Sequence, residues 1–226
     1  MYTIEESKCP YCDSVLTPPP SRKKRCGACN RSFYVRTRCA DRKRVIVTED
    51  EIRIIEDEWE KHQLTDDILK GVSNLITESD IQAARKRYPA IINIGDIVWK
   101  LLHEKLLMAM KSSDWGLMYD VYYAMSIVLQ KEGKDSFAVQ VEAQKCKLQE
   151  YKLKETEGII EKVEISTCGT DSCPECQKIA ERVLTVSEAL EEMPIPVKNC
   201  VSIVFGHGRS YCRCHYLGRI PERYYS

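Results

Sequence analysis

Three Cys-x2-Cys pairs punctuate this chain, Cys9/Cys12 and Cys26/Cys29 near its start and Cys173/Cys176 towards its far end. Cys200 and a Cys212-Arg213-Cys214 tripeptide follow the third pair. Two residues of turn between paired cysteines place both sulfurs about 4 Å apart on one side of the backbone, so each pair is a ready clamp for one soft metal ion. The pattern predicts a small metal-stapled module at each end of the 226 residues, with two Zn2+ ions expected in all.

In the first module, 13 residues separate Cys12 from Cys26. Two such knuckles on short hairpins close a sulfur tetrahedron, and metal binding then supplies the stability that a tiny core lacks. Pro18-Pro19-Pro20 stiffens the intervening loop, and Phe33-Tyr34-Val35 and Val45-Ile46-Val47 have the composition of strands. The segment resembles a zinc ribbon (a zinc-finger type), with Cys9, Cys12, Cys26 and Cys29 in the positions of its four ligands. Cys39 lies outside the motif and is expected to be a spare thiol. Four sulfurs leave no open coordination position, so no Lewis-acid chemistry is expected there.

For the second module Cys173 and Cys176 are partners and Cys200 is the expected third ligand. The fourth is Cys212 or Cys214, because residues i and i+2 of a strand point to the same side. Cys168, His207 and His215 are alternates. A closed set of four cysteines is expected, with a one-histidine site and a redox Cys-x2-Cys unit as the other readings; the redox unit lacks a preceding parallel βαβ context.

The middle of the chain is helical in pattern. Thr48 with Glu51 forms a capping-box signature for a helix to about His62, with Ile52, Ile55 and Trp59 on one side. A further helix is expected over Asp66–Ile76, interrupted near Gly71. Thr77 and Asp80 open another that Tyr88-Pro89 ends. Three longer ones follow: about Asp96–Met110, Trp115–Gln130 with Met118, Tyr122, Met125 and Leu129 on one stripe, and about Ser136–Lys152 after a turn at Gly133. Short loops between them predict antiparallel packing like a helical hairpin with a flank. After Gly158, Ile159–Ile165 alternates like a strand. Thr185 with Glu188 opens a short helix ending at Met193-Pro194, Cys200–Phe205 is expected as a strand, and Gly206-His207-Gly208 as a tight turn.

Cys173-Pro174-Glu175-Cys176, Leu184-Thr185 with Glu188-Ala189-Leu190, Met193-Pro194 and Cys212-Arg213-Cys214 together resemble the C-terminal cysteine module of phage head-morphogenesis proteins of the minor-capsid type. Cys200 stands where that family often has His, and an 11-residue insert precedes Cys212. The likeness covers about residues 168–216. The chain as a whole resembles bacterial or phage-encoded proteins with a ribbon at one end and this module at the other.

Composition narrows the function classes. Twelve cysteines beside 43% apolar residues exceed the staples such a core needs, which points to reduced, metal-bound thiols in the cytoplasm rather than a secreted disulfide framework. No charged leader precedes an apolar stretch of signal-peptide length, and no apolar run approaches about 18 residues, so no membrane role is expected. Net charge is zero, yet residues 22–44 carry ten Lys/Arg against Asp41, whereas residues 49–67 carry nine acids against Arg53 and Lys61. Arg22, Lys23, Lys24, Arg25, Arg31, Arg36 and Arg38, interleaved with Phe33 and Tyr34, form a candidate DNA or RNA surface that would hold phosphates and stack a base on an exposed ring. One of the two aromatics is expected in the module's core. No Gly-rich phosphate loop or His-Glu-x-x-His motif occurs, and four histidines supply little general-base chemistry.

The expectation is therefore an α+β protein: a zinc ribbon over 1–47, a central antiparallel helical region over 48–157, and a small C-terminal zinc-stabilised α/β module over 158–226. The expected function is that of a non-enzymatic adaptor or structural protein of phage or mobile-element character, with a protein partner on the helical region. Nucleic-acid binding through residues 22–44 is the alternative.

Overall fold

Along Ser32–Thr37 the side chains of Phe33 and Val35 turn inward and their neighbours outward, the period-two pattern of a half-buried strand. This strand is the middle of a three-stranded antiparallel sheet ordered β1 (Lys24–Arg25), β2 (Ser32–Thr37), β3 (Arg44–Val47), with Lys24 opposite Phe33 and Tyr34 opposite Val47. The sheet belongs to the first of two compact units, Met1–Asp66 and Asp67–Ser226; the computed structural model describes residues 7–91, 93–203 and 210–221. Val47 continues into α1 (Glu49–Val72), whose Ile52 and Ile55 bury against Val47, with Trp59, Tyr34 and Val45 packed at the edge. Trp59 Nε1 donates to the Thr37 carbonyl at 2.7 Å. The expected capping box is present: the Thr48 hydroxyl accepts from the Glu51 N–H at 3.3 Å, and the Glu51 carboxylate accepts from the Thr48 N–H at 2.8 Å.

The two helices expected over residues 49–62 and 66–76 are one. Nothing between His62 and Asp66 breaks a helix, and those two residues pair at i,i+4 with Nδ1 and Oδ2 3.3 Å apart. Gly71 does not interrupt it either, since the helix ends one residue later at Val72. Its role is close approach: a Cβ there would lie 2.6 Å from Ile127 Cγ2. A β-branched residue on a helix has one strongly preferred rotamer, so Ile127 cannot swing clear. Gly71→Ala is therefore expected to destabilise the second unit by about 1 kcal/mol despite alanine's better helix propensity, read from urea unfolding.

In the second unit α2 (Glu78–Arg87) carries the Thr77/Asp80 capping box and buries Ile81 and Ala84. Helices α3 (Ile94–Ser112), α4 (Trp115–Lys131) and α5 (Phe137–Thr156) follow, with α4 packed on both neighbours. Their short connections turn at Ser113, which is left-handed and accepted there as the α3 C-cap, and at Gly133 with φ of 68°. On α4 the buried stripe is Met118, Val121, Met125 and Val128; Tyr122 and Leu129 sit half-buried at its border rather than within it. Leu148 and Tyr151 of α5 then join a core with Val163, Ile165, Leu184 and Tyr216, so the cysteine-rich tail is built directly onto the helices.

The tail's sheet is ordered β5 (Val183–Leu184), β4 (Lys162–Ser166), β6 (His215–Arg219), all antiparallel, with Ile165 opposite Tyr216. The strand expected from Ile159 begins at Lys162, because Gly158 at φ 72° closes the α5 terminus and both Ile159 and Ile160 N–H groups donate to the Lys154 carbonyl. A short helix, α6 (Pro174–Gln177), carries the Cys173/Cys176 pair, and α7 (Val186–Glu192) has the Thr185/Glu188 box. The strand expected at Cys200–Phe205 is not formed over Cys200–Ile203, which is irregular; Val204, Phe205 and the Gly206-His207-Gly208 turn lie outside the described residues. The strand that completes this sheet is β6, where Tyr216 alone is deeply buried and polar ends mask the alternation.

Candidate metal centres

The two N-terminal knuckles are the same backbone device used twice. The Cys9 N–H donates to the Ser14 carbonyl and the Asp13 N–H to the Cys9 carbonyl; the Cys26 N–H donates to the Arg31 carbonyl and the Asn30 N–H to the Cys26 carbonyl. Asp13 at φ 55° and Asn30 at φ 61° take the left-handed turn that lets each pair fold back, a conformation Asp and Asn tolerate better than most side chains. All four sulfurs of Cys9, Cys12, Cys26 and Cys29 lie within 4.8 Å of one another. Across the pairs, Cys9 to Cys29 is 3.7 Å and Cys12 to Cys26 is 3.8 Å. A tetrahedron with Zn–S of about 2.3 Å has edges of about 3.8 Å, so the donor set fits zinc in size, number and softness.

Ser14 is the residue that sequence reasoning missed here. Its hydroxyl oxygen sits 3.2 Å from Cys12 Sγ and 3.3 Å from Cys26 Sγ. That hydroxyl, followed by the Cys29 and Ala28 N–H groups, holds the Cys26 thiol down to about 6, and it lowers Cys12 as well. Burial pushes Cys9 up to about 12. An entering ion thus meets a thiolate at Cys26 and displaces a proton from Cys9 at neutral pH. Ser14→Ala is expected to weaken zinc binding in this cage by about tenfold, measured by chelator competition.

The C-terminal cysteines group differently. Cys173, Cys176 and Cys200 are mutually close, with Cys173 to Cys200 3.7 Å and Cys176 to Cys200 3.8 Å. Cys176, Cys212 and Cys214 form a second mutually close set, with Cys176 to Cys212 4.0 Å. All five are buried. The Val197 N–H donates to Cys212 Sγ at 3.3 Å, and Cys214 with Cys212 hold each other's protonation apart, Cys212 down to about 6 and Cys214 raised. Burial pushes Cys200 up to about 11.

Three hydrogen bonds anchor the segment carrying Cys212 and Cys214, and the start of β6 after it, to the helices. Tyr211 OH lies 2.9 Å from Ser126 Oγ on α4, Gln144 Nε2 on α5 donates to the Cys214 carbonyl at 3.3 Å, and Tyr151 OH donates to the Tyr216 carbonyl at 3.1 Å. Of the alternates, Cys168 faces the cavity that Cys173, Cys176 and Cys200 line, His215 is exposed at the start of β6, and His207 lies outside the described residues. Cys39 is half-buried and belongs to neither group of sulfurs.

The basic residues of the first unit are spread over several partners. Phe33 is the core aromatic, fully buried with Cys9 and Cys26. Tyr34 is half-buried, with Lys23 Nζ 4.7 Å and the Arg36 guanidinium 5.7 Å from its ring centre. Arg36 pairs with Glu56 at 3.4 Å and Arg38 with Asp41 at 2.5 Å, while Arg31 sits over Tyr11. Arg22, Lys24 and Arg25 are exposed on β1 and the loop before it. Among the described residues, no helix is long and apolar enough to cross a membrane.

No protein-family model, curated protein or solved structure matches this chain.

Proposed function

We propose that this protein is a zinc-stabilised, non-enzymatic adaptor or structural protein of the cytoplasm. The observation that carries this reading is the N-terminal set of four sulfurs at tetrahedral spacing, which leaves an ion no position for water or substrate. Such a site contributes folding energy and performs no Lewis-acid step. Exposed Leu107, Met108 and Met110 on α3 support a protein-facing role for the helical region. The likeness of residues 168–216 to the minor-capsid cysteine module favours a phage or mobile-element setting. Substitution with Co2+ tests the reading: the visible spectrum of the N-terminal site is expected to be that of a tetrahedral all-sulfur ion, unchanged by added azide. A spectrum that shifts on azide addition reveals an open position and overturns it.

Nucleic-acid binding is the second reading, favoured by exposed Arg22, Lys24 and Arg25 beside the second knuckle. The cations over Tyr34 and the ion pairs of Arg36 and Arg38 reduce the surface expected to engage a backbone. Binding of the intact protein to duplex and single-stranded DNA and RNA at two salt concentrations separates the readings. Micromolar affinity with a steep salt dependence, lost when Arg22–Arg25 are neutralised, selects the second. The adaptor reading expects no such affinity.

A further inference from the structure

The five C-terminal sulfurs do not make one tetrahedron with a spare. A single four-coordinate ion needs four sulfurs in which every pair is close. Among the described residues no such set exists in the tail: the sulfurs fall into two groups of three that share Cys176. Three ligands around one ion at about 2.3 Å form a triangle with edges of about 4.0 Å. The distances from Cys200 to Cys173 and Cys176 and from Cys176 to Cys212, 3.7, 3.8 and 4.0 Å, are of the length that sulfurs sharing one ion show.

We infer that the C-terminal cluster is a binuclear site in which the Cys176 sulfur bridges two thiophilic d10 ions, one held with Cys173 and Cys200 and the other with Cys212 and Cys214. The inference rests on the reading of these cysteines as metal ligands and deepens it. Soft thiolates select ions such as Cu+ and Zn2+, and Cu+ is satisfied by three sulfurs. Two separate cavities border the cluster, and Cys214 lines both. A cavity of about 10 Å³, the size of one small sphere, lies among Cys173, Cys176, Cys200 and Cys214. A separate one of about 80 Å³ borders Cys212 and Cys214. Five thiolates leave excess negative charge around two monovalent or divalent ions, and Arg213 borders both cavities, its guanidinium anchored by donation to the Asp171 carbonyl at 3.0 Å.

The test is 113Cd NMR with metal analysis on the full chain loaded with 113Cd2+. The expected result is one ion from the N-terminal cage and two from the cluster, with the two cluster resonances split by mutual scalar coupling through the shared sulfur. Cys176→Ser is expected to remove that coupling and lower the cadmium content, while Cys39→Ser changes neither. The coupling is read in the unaltered protein, so the inference remains testable if Cys176→Ser fails to fold. A single uncoupled cluster resonance overturns the binuclear site and leaves the metal-ligand reading standing. No cluster resonance at all overturns both.

Discussion

Exhaustive chelation is expected to unfold the sheet of the first unit and to spare helices α3–α5. The ribbon's own core is Phe33 with Cys9 and Cys26, bordered by Tyr11, Leu16 and Ile46, and beside it Val35, Val47, Ile52 and Ile55 are buried. Each such apolar side chain contributes about 1.5–3 kcal/mol, whereas fixing one residue's backbone opposes folding by about 1–2 kcal/mol. A structural zinc ion contributes about 10–16 kcal/mol in sites of this kind, more than any other single interaction available to the ribbon. Removing it should collapse the amide dispersion of residues 8–47 in an NMR spectrum, and added zinc should restore it. By contrast, α3 and α4 bury Val98, Leu102, Val121 and Val128, none of them a cysteine-cluster residue. Dispersion that survives chelation in the first unit would show that the sulfurs do not organise this sheet through an ion.

Leu148→Ala is expected to destabilise the second unit by about 3 kcal/mol, the middle of the range for buried leucine. Leu148 is fully buried and lies in the core that α5 shares with β4, α7 and the cysteine-rich tail. The cavity left by truncation would therefore be lined from both sides, by the helix and by the small sheet, with neither free to relax alone. Thermal and urea unfolding followed on this unit would report the loss. Leu153→Ala, on the same helix but 53% exposed, is the control and should shift the midpoint little. Equal effects of the two substitutions would mean that the tail does not pack on α5.

What could be read from the residues alone follows from how local the determining interaction is. The capping boxes at Thr48, Thr77 and Thr185 were legible because each is closed by a side chain three residues away. The first cysteine set was legible for the same reason, since each knuckle is a tight turn whose Asp13 or Asn30 sits directly after the pair. The role of Gly71, expected to interrupt a helix, was obscured because it depends on Ile127, 56 positions away in sequence by their numbers. Strand β6 was hidden because it is specified by pairing with β4 rather than by its own alternation. Ser14 carried no motif, only a position between two cages of turn, and its contact to Cys26 spans 12 residues. The division of the tail's sulfurs into two groups sharing Cys176 depends on where β4, α5 and Tyr211 place residues 212–214, which no spacing rule encodes.

The unequal spans of the two cysteine sets also order events during synthesis. The ribbon's ligands are all present once Cys29 has emerged, and the loop to be closed is short. In the tail Cys176 meets Cys200, 24 residues further on, and Cys212, 36 residues further on, the latter beside an α5 that has already been made. A nascent chain can therefore load its first ion while most of its length is still unmade, whereas the tail's full set of five thiols is complete only when translation has passed Cys214.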